Sequence, residues 1–405
     1  MRPFASTISL EEARRRLEAA VRPIARTERV PLEDAVGRVA AADVTSPLDV
    51  PPFSRSAMDG YAVLSADTAS ATRSTPVPLR LVDRIYTGQP SSVTIEPGTC
   101  AEIATGAPLP AGADAVVMVE ETASEGMTIA ILAAASAGQH IGRRGADIAA
   151  GDRIIAAGDL LSPSRIGAIA ATGQAVAEVF AKPRVAILST GNEVIEPGGT
   201  LAPGQIFDVN RFTLGAIVSA HGGIAEPRHA AQDTVAALID ALDLCAEADL
   251  IVFSGGSSVG ERDLVVDAIA ARGEMIFHGI AVRPGKPTAF AAIAHGGGTT
   301  PFFGMPGNPT SCLSNAYILL VPFLRALARL PPHAPRTVQA PLGRRIASAV
   351  NRHQFYTVRL KEGVAFPAFK GSGDITSLSQ ADGYIEIPAD QSVVEEGMSV
   401  TVTLF

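Results

Sequence analysis

The 405-residue sequence predicts a multidomain α/β protein: a central parallel-sheet α/β domain, helical and β-rich N-terminal domains, and a small C-terminal β-barrel domain. Three observations predict it. The chain is longer than one hydrophobic core ordinarily supports. Between Arg184 and Leu330, short β-branched runs alternate with helical patterns, which implies parallel strands covered by helices on both faces. On either side, residues 77–131 and 338–405 read as short strands separated by turn signals. The boundaries that follow are 1–48 with 148–181 for an N-terminal helical and linker domain, 49–147 for a β-rich insertion, 182–330 for the α/β domain and 331–405 for the C-terminal domain.

In chain order, Ser9 to Ile24 reads as the first helix, with Ser9 and Glu12 as a capping box and Leu10, Ala13, Leu17, Ala20, Val21 and Ile24 on one stripe. A short helix over Leu32–Val36 and a strand-like run over Arg38–Val44 follow. Pro51-Pro52 imposes an extended entry, and Met58-Asp59-Gly60-Tyr61 reads as a turn leading into a strand. Taken locally, Asp59 is a turn residue, and Arg143-Arg144-Gly145 with Asp147 is a solvated turn. Ser164–Gly173 reads as a helix closed by a glycine cap, and Lys182-Pro183 as a boundary.

Beyond it, strands are expected at 184–189, 224–228, 249–253, 275–282 and 288–293. Helices are expected at 210–220, 234–246, 264–271 and, as one long closing element, 311–330. In open α/β sheets, ligands bind at the carboxyl ends of the strands. Four strand exits stand out: Ser189 to Glu193, Ser254 to Gly260 (Gly255, Gly256, Ser257 and Ser258 within it), Arg283 to Pro287, and Gly304 to Ser311. All are rich in glycine, proline and small polar residues, which let a ligand approach main-chain amides and the N-termini of helices. One such loop is ordinary; four on a single sheet predict a binding crevice. Arg283 and Lys286 supply cations for an anion, and Glu193 and Asp263 supply carboxylates for a divalent metal.

A formal net charge of −8 argues against nucleic acid as a partner. No apolar run approaches the ~18 residues of a membrane span, because Pro322 and Arg325 interrupt the longest. The opening residues lack the apolar stretch of a signal peptide. Three scattered cysteines without a C-x-x-C spacing argue for a reducing compartment and against a structural zinc site. A cytoplasmic location is the expectation.

Six ordered motifs then carry a resemblance over nearly the whole chain. They are Pro51 to Ala62, Thr105 to Pro110, Ser189 to Glu193, Gly255 to Gly260, Arg283 to Pro287 and Pro306-Gly307-Asn308-Pro309. In these the chain resembles the MoeA/gephyrin-E family of molybdopterin molybdenumtransferases, whose central domain is MogA-like. The resemblance implies transfer of molybdenum from molybdate into adenylylated molybdopterin, with Mg²⁺-dependent hydrolysis of the adenylate to AMP. It also implies that Asp59, Thr105, Asp147, Glu193, Asp233, Asp263 and Lys286 are the functional residues, with Asp263, Glu193 and Asp233 as metal ligands. Substrate would be bound by Gly255, Gly256, Ser257, Ser258, Gly260, Arg283, Pro287, Pro306, Gly307, Asn308, Pro309, Ser311, Arg352 and Ser372. The family forms a homodimer, which would set Asp59, Thr105 and Asp147 of one subunit against the crevice of the other. A molybdopterin adenylyltransferase and molybdoenzyme-maturation proteins are the further partners it implies.

This sequence departs from the family in two places. Arg283 stands where lysine is frequent, and the C-terminal Arg-x-x-Phe-x-Arg pattern reads Arg352-His353-Gln354-Phe355-Tyr356-Thr357, so the second arginine is missing. Arg352 or Arg359 is the candidate to compensate. Two other functions compete: a CinA-like nucleotide pyrophosphatase using the same crevice, and a non-catalytic scaffold that binds molybdopterin. The Met58–Tyr61 module argues against the first, and the retained acidic residues against the second.

Overall fold

The structure, a computed structural model, describes residues 7–191, 193–229, 234–255 and 261–405. It divides into two compact units. One takes the chain up to Glu28, Gly37–Val39 and Phe180–Phe405; the other takes Arg29–Val36 and Ala40–Val179.

Helix α1 (Leu10–Ala20) opens the first unit. Ser9 Oγ accepts the Glu12 amide at 3.1 Å, so the expected cap forms. The reciprocal half of the box does not, because the Glu12 carboxylate accepts from Arg15 and Arg16 instead. The helix stops before Arg22-Pro23, since the residue preceding a proline is pushed out of helical geometry. Leu10, Ala13 and Leu17 bury in the core of this unit.

The second unit is built on a six-stranded sheet. Its strands are β1 (Gly60–Val63), β2 (Val77–Ile85), β3 (Thr99–Ile103), β4 (Ala115–Met118), β5 (Thr122–Glu125) and β6 (Thr128–Ile131). They lie in the order β4-β1-β3-β2-β6-β5, with only β2 and β3 parallel. Both faces are apolar. Tyr61, Leu79, Val117 and Ile129 pack on one, Ala62, Ile85, Ile103 and Val116 on the other. Helix α2 (Pro163–Ala171) starts at Ser162, whose hydroxyl accepts the Arg165 amide, and buries Ile169 against Ile155, Leu161 and Val179. The segment read as a short helix at 32–36 is a single 3₁₀ turn, Leu32–Asp34, and the strand expected from Arg38 reduces to Val44–Thr45.

In the first unit, strands and helices alternate as β7 (Arg184–Ser189), α3 (Asn210–Ala220), β8 (Ile224–His229), α4 (Val235–Asp243), β9 (Leu250–Ser254) and α5 (Glu261–Arg272). Then come β10 (Gly273–His278), β11 (Ala289–His295), β12 (Gly298–Met305) and α6 (Pro309–Asn315). The sheet runs β8-β7-β9-β12-β11-β10. Its first four strands are parallel, and β11 is antiparallel to both its neighbours. Alternate side chains feed two cores. Val185, Ile187, Val252, Phe290 and Phe303 pack with α1, α3 and the closing helix, while Leu188, Ile251, Phe253, Ile293 and Phe302 pack with α4 and α5. β12 is the strand the sequence reading did not find. Pro301 and the glycines on both sides of it disguise a central strand as a loop.

The closing element begins at Pro309, passes through a π-helical turn at Ala316–Leu320 and ends in a last α-helical segment at Val321–Leu327. Pro309–Leu327 is long and apolar enough to cross a membrane, yet 72% of it is buried inside the protein, as a core helix is.

The strand expected over 275–282 splits. β10 ends at His278, and Val282–Arg283 pairs instead with β14 (His353–Lys361). That C-terminal sheet also holds β13 (Thr337–Pro341), β15 (Val364–Pro367), β16 (Gly383–Ile387) and β17 (Ser399–Leu404). Its order is Val282–Arg283, β14, β16, β17, β13, with β15 along β14. A ribbon of Ile346–Ala347 and Val393–Val394 lies over a core of Leu342, Val358, Ile385 and Val402.

Candidate functional site

Two exits of the central sheet meet through one buried amide, and a third joins them through the main chain. Asn210, the first residue of α3 and only 8% exposed, donates from Nδ2 to Ser254 Oγ at 2.8 Å and to the Gly307 carbonyl at 2.7 Å. The Thr190 amide, just past β7, donates to the Ser254 carbonyl at 3.1 Å. The ends of β7 and β9, the start of α3 and the loop after β12 therefore form one rim. Gly255 is constrained there: an added Cβ would lie 2.6 Å from Thr190 Oγ1 and 2.5 Å from the Phe253 ring, so a side chain has no room. Cys312 sits behind this rim, fully buried, and burial pushes its thiol pKa up to about 12, which rules it out as a nucleophile at neutral pH.

A second set of bonds brings the C-terminal loop to the same place. Asn308 Nδ2 donates to Ser372 Oγ at 3.1 Å, the Thr310 amide donates to the Ser372 carbonyl at 3.1 Å, and Thr310 Oγ1 donates to the Asp374 carbonyl at 2.7 Å. Pro309 occupies the first turn of α6, where its missing N–H costs nothing. Pro306 and Ser311 are buried beneath the surface, whereas Gly307, Asn308, Pro309 and Ser372 are partly exposed.

The Arg283–Pro287 loop is tied to the far end of α6. Asn315 Nδ2 donates to the Gly285 carbonyl at 2.9 Å, Thr288 Oγ1 donates to the same carbonyl at 2.9 Å, and the Lys286 carbonyl accepts the Ile280 amide at 2.9 Å. Seven residues of helix separate this anchor from Asn308, about 10 Å along the axis. Lys286 and Pro287 are half-buried and Arg283 is exposed. Gln354 pairs with Arg283 within the C-terminal sheet, which brings the exposed Arg352 to the same end of β14.

Of the proposed metal ligands, Glu193 follows β7, with its carboxylate folded against Gly191: an added Cβ there would lie 2.8 Å from Oε2. Asp263 falls in the first turn of α5, and its side chain is not described. Asp233, Gly256, Ser257, Ser258 and Gly260 lie outside the described residues. Among the described residues, no group of three or more His, Cys, Asp or Glu side chains comes together.

The remaining candidates sit in the second unit. The Asp59 carboxylate accepts the Thr105 amide at 2.7 Å and the Thr105 hydroxyl at 2.9 Å, and these two donors hold it below the usual carboxylate range. Gly60 must be glycine, because a Cβ would lie 1.9 Å from the Val117 carbonyl oxygen. Asp147 is exposed in a loop whose amide donates to the Val50 carbonyl at 3.0 Å.

At the altered C-terminal motif, Thr357 is only 2% exposed and its hydroxyl has no partner among the described residues. Arg359 is engaged elsewhere, donating from Nε to the Gln380 carbonyl at 2.8 Å. Sequence reading missed Asn210, Asn315 and the structural role of Ser254. No local signal marks them, because Asn210 opens α3 and Asn315 closes α6 among other small polar residues.

Comparison with known proteins covers nearly the whole chain. Residues 8–173 match the MoeA N-terminal region (domain I and II), 186–326 a probable molybdopterin binding domain, and 339–405 the MoeA C-terminal region (domain IV). Molybdopterin molybdenumtransferase 2 of Mycobacterium tuberculosis is 38% identical over 95% of both chains. The molybdopterin molybdenumtransferase of Haemophilus influenzae is 30% identical over 98% of both. A crystal structure of a molybdopterin biosynthesis MoeA protein from Pyrococcus horikoshii superposes with a TM-score of 0.84 at 37% identity, covering 98% of this chain and 99% of that one.

Proposed function

The chain belongs to the MoeA family of molybdopterin molybdenumtransferases, and on that premise we propose that it inserts molybdenum from molybdate into adenylylated molybdopterin, releasing AMP and molybdenum cofactor. The observation that carries the reading is the rim itself, where Asn210 joins Ser254 to Gly307 and Asn308 joins Ser372. A phosphorylated pterin needs backbone that can be approached closely, and the partly exposed Gly307 provides it. Lys286 is the anion clamp in this reading, and Arg283 and Arg352 add positive charge at the mouth.

Mg²⁺ usually binds through one or two carboxylates and completes its shell with water and substrate phosphate oxygens. Glu193, with Asp233 and Asp263, suits that mode better than a closed protein cage. Bound there, the ion would neutralise phosphate charge during hydrolysis of the adenylate. The family's homodimer and a cytoplasmic location belong to the same proposal. In the dimer, Asp59, Thr105 and Asp147 of one subunit serve the crevice of the other.

The test is to incubate the purified protein with adenylylated molybdopterin, molybdate and Mg²⁺. AMP release together with active molybdenum cofactor supports transfer. Hydrolysis of unrelated nucleotides, or tight molybdopterin binding without turnover, refutes it.

A further inference from the structure

We propose that Asn315 is a positioning residue for the transfer reaction: its buried amide fixes the Arg283–Pro287 loop and thereby sets where Lys286 leaves the backbone. This rests on the reading of Lys286 as the anion clamp. Asn315 is completely buried, a costly place for an amide inside an apolar helix. Both hydrogens of its Nδ2 are committed to the loop, one to the Gly285 carbonyl at 2.9 Å and one to Thr288 Oγ1 at 2.5 Å. Thr288, equally buried, donates its own proton to the Gly285 carbonyl, closing a three-membered ring of hydrogen bonds around one carbonyl oxygen.

The loop is shaped to receive this amide. Gly285 has φ +103°, which side-chain-bearing residues avoid, and an added Cβ would lie 2.0 Å from Asn315 Nδ2. The amide therefore fills the space a side chain would occupy. Lys286 is the next residue, so its stem leaves the backbone from a point set by this ring. On the helix, the π turn begins directly after Asn315. Such turns shift the helical register by one residue and recur at functional sites. Here the turn lets the preceding α-helical turn aim Asn315 at the loop while Ala316, Ile318 and Leu319 return to the core.

The experiment is a double-mutant cycle on the full-length protein, reading KM and kcat for adenylylated molybdopterin in wild type, Asn315→Ala, Lys286→Ala and the double variant. A net hydrogen-bond contribution of about 1.4 kcal/mol corresponds to tenfold, so Asn315→Ala should raise KM about tenfold. In the Lys286→Ala background the same change should alter KM by less than twofold. Wild-type KM in Asn315→Ala, or independent multiplying effects in the double variant, overturns the proposal. If Lys286→Ala itself keeps wild-type KM, the clamp reading fails, and hydrogen exchange over residues 279–288 decides the positioning role alone. There Asn315→Ala should exchange at least about tenfold faster, and unchanged exchange refutes it. Asn315→Asp preserves volume while placing an acceptor against the Gly285 carbonyl. It should reproduce both effects if the alanine variant folds poorly.

Discussion

Replacing Asn210 should loosen the rim without touching any residue expected to meet substrate. Its Nδ2 makes two bonds at 2.8 and 2.7 Å, to Ser254 Oγ and the Gly307 carbonyl. At about 0.5–1.5 kcal/mol net for each, Asn210→Ala loses about 1–3 kcal/mol. For a unit of this size that is a fall of roughly 2–12 °C in melting temperature. Asn210→Asp separates hydrogen bonding from packing, because the side chain keeps its volume. Ser254 Oγ can rotate to donate to the new carboxylate, but the Gly307 carbonyl then faces an acceptor. The loop after β12 should move while β9 stays in place. Scanning calorimetry and the KM for adenylylated molybdopterin together make the assay, and KM should rise in both variants. If Asn210→Ala keeps KM within about twofold and melts within about 1 °C of wild type, against the loss expected from two buried bonds, the rim is not held by this amide.

Other outcomes follow from the same geometry. Gly60→Ala should destabilise the second unit by about 1–3 kcal/mol or more, read by chemical denaturation, since its Cβ would sit 1.9 Å from the Val117 carbonyl oxygen. Thr105→Val removes one of the two donors to Asp59, so NMR titration should show the Asp59 pKa moving up toward the ordinary carboxylate value. His221 is buried beside His333, with Arg325 nearby, and burial is the main cause that pushes its pKa down from 6.5 to about 4. The unfolded chain takes up that proton near pH 6.5 and the folded chain only near pH 4, so stability is complete above the upper value and falls as pH drops between the two. The loss is on the order of 3 kcal/mol. Urea midpoints at pH 7 and pH 5 should therefore converge in His221→Gln.

The sequence made the parallel core legible because β7 and β9 are short, β-branched and followed by helices with clear apolar stripes. Asn210–Ala220 was read with its observed ends for the same reason. β12 escaped because Pro301 sits in a central strand, where a proline normally argues against strand, and because Gly296-Gly297 makes the hairpin turn look like a loop. The break at His278 escaped because pairing partners far along the chain, Ile8 and His353, decide where the next residues go. Among site residues, the glycine and proline loops announced themselves by composition. The asparagines that tie those loops together did not, because a buried amide has no local signature; its partners are 44, 97 and 30 positions away.

The segment from Gly279 to Arg283 bridges two sheets. On one side the Ile8 amide donates to the Gly279 carbonyl at 3.2 Å and the Ala281 amide to the Ile8 carbonyl at 2.8 Å; on the other the His353 amide donates to the Ala281 carbonyl at 2.9 Å. The C-terminal sheet is consequently no detachable appendage. Cutting the chain after the closing helix would strip this short strand of its neighbour and leave the cationic loop that follows it hanging from a frayed edge. Any movement of the C-terminal sheet against the central one would carry that loop with it.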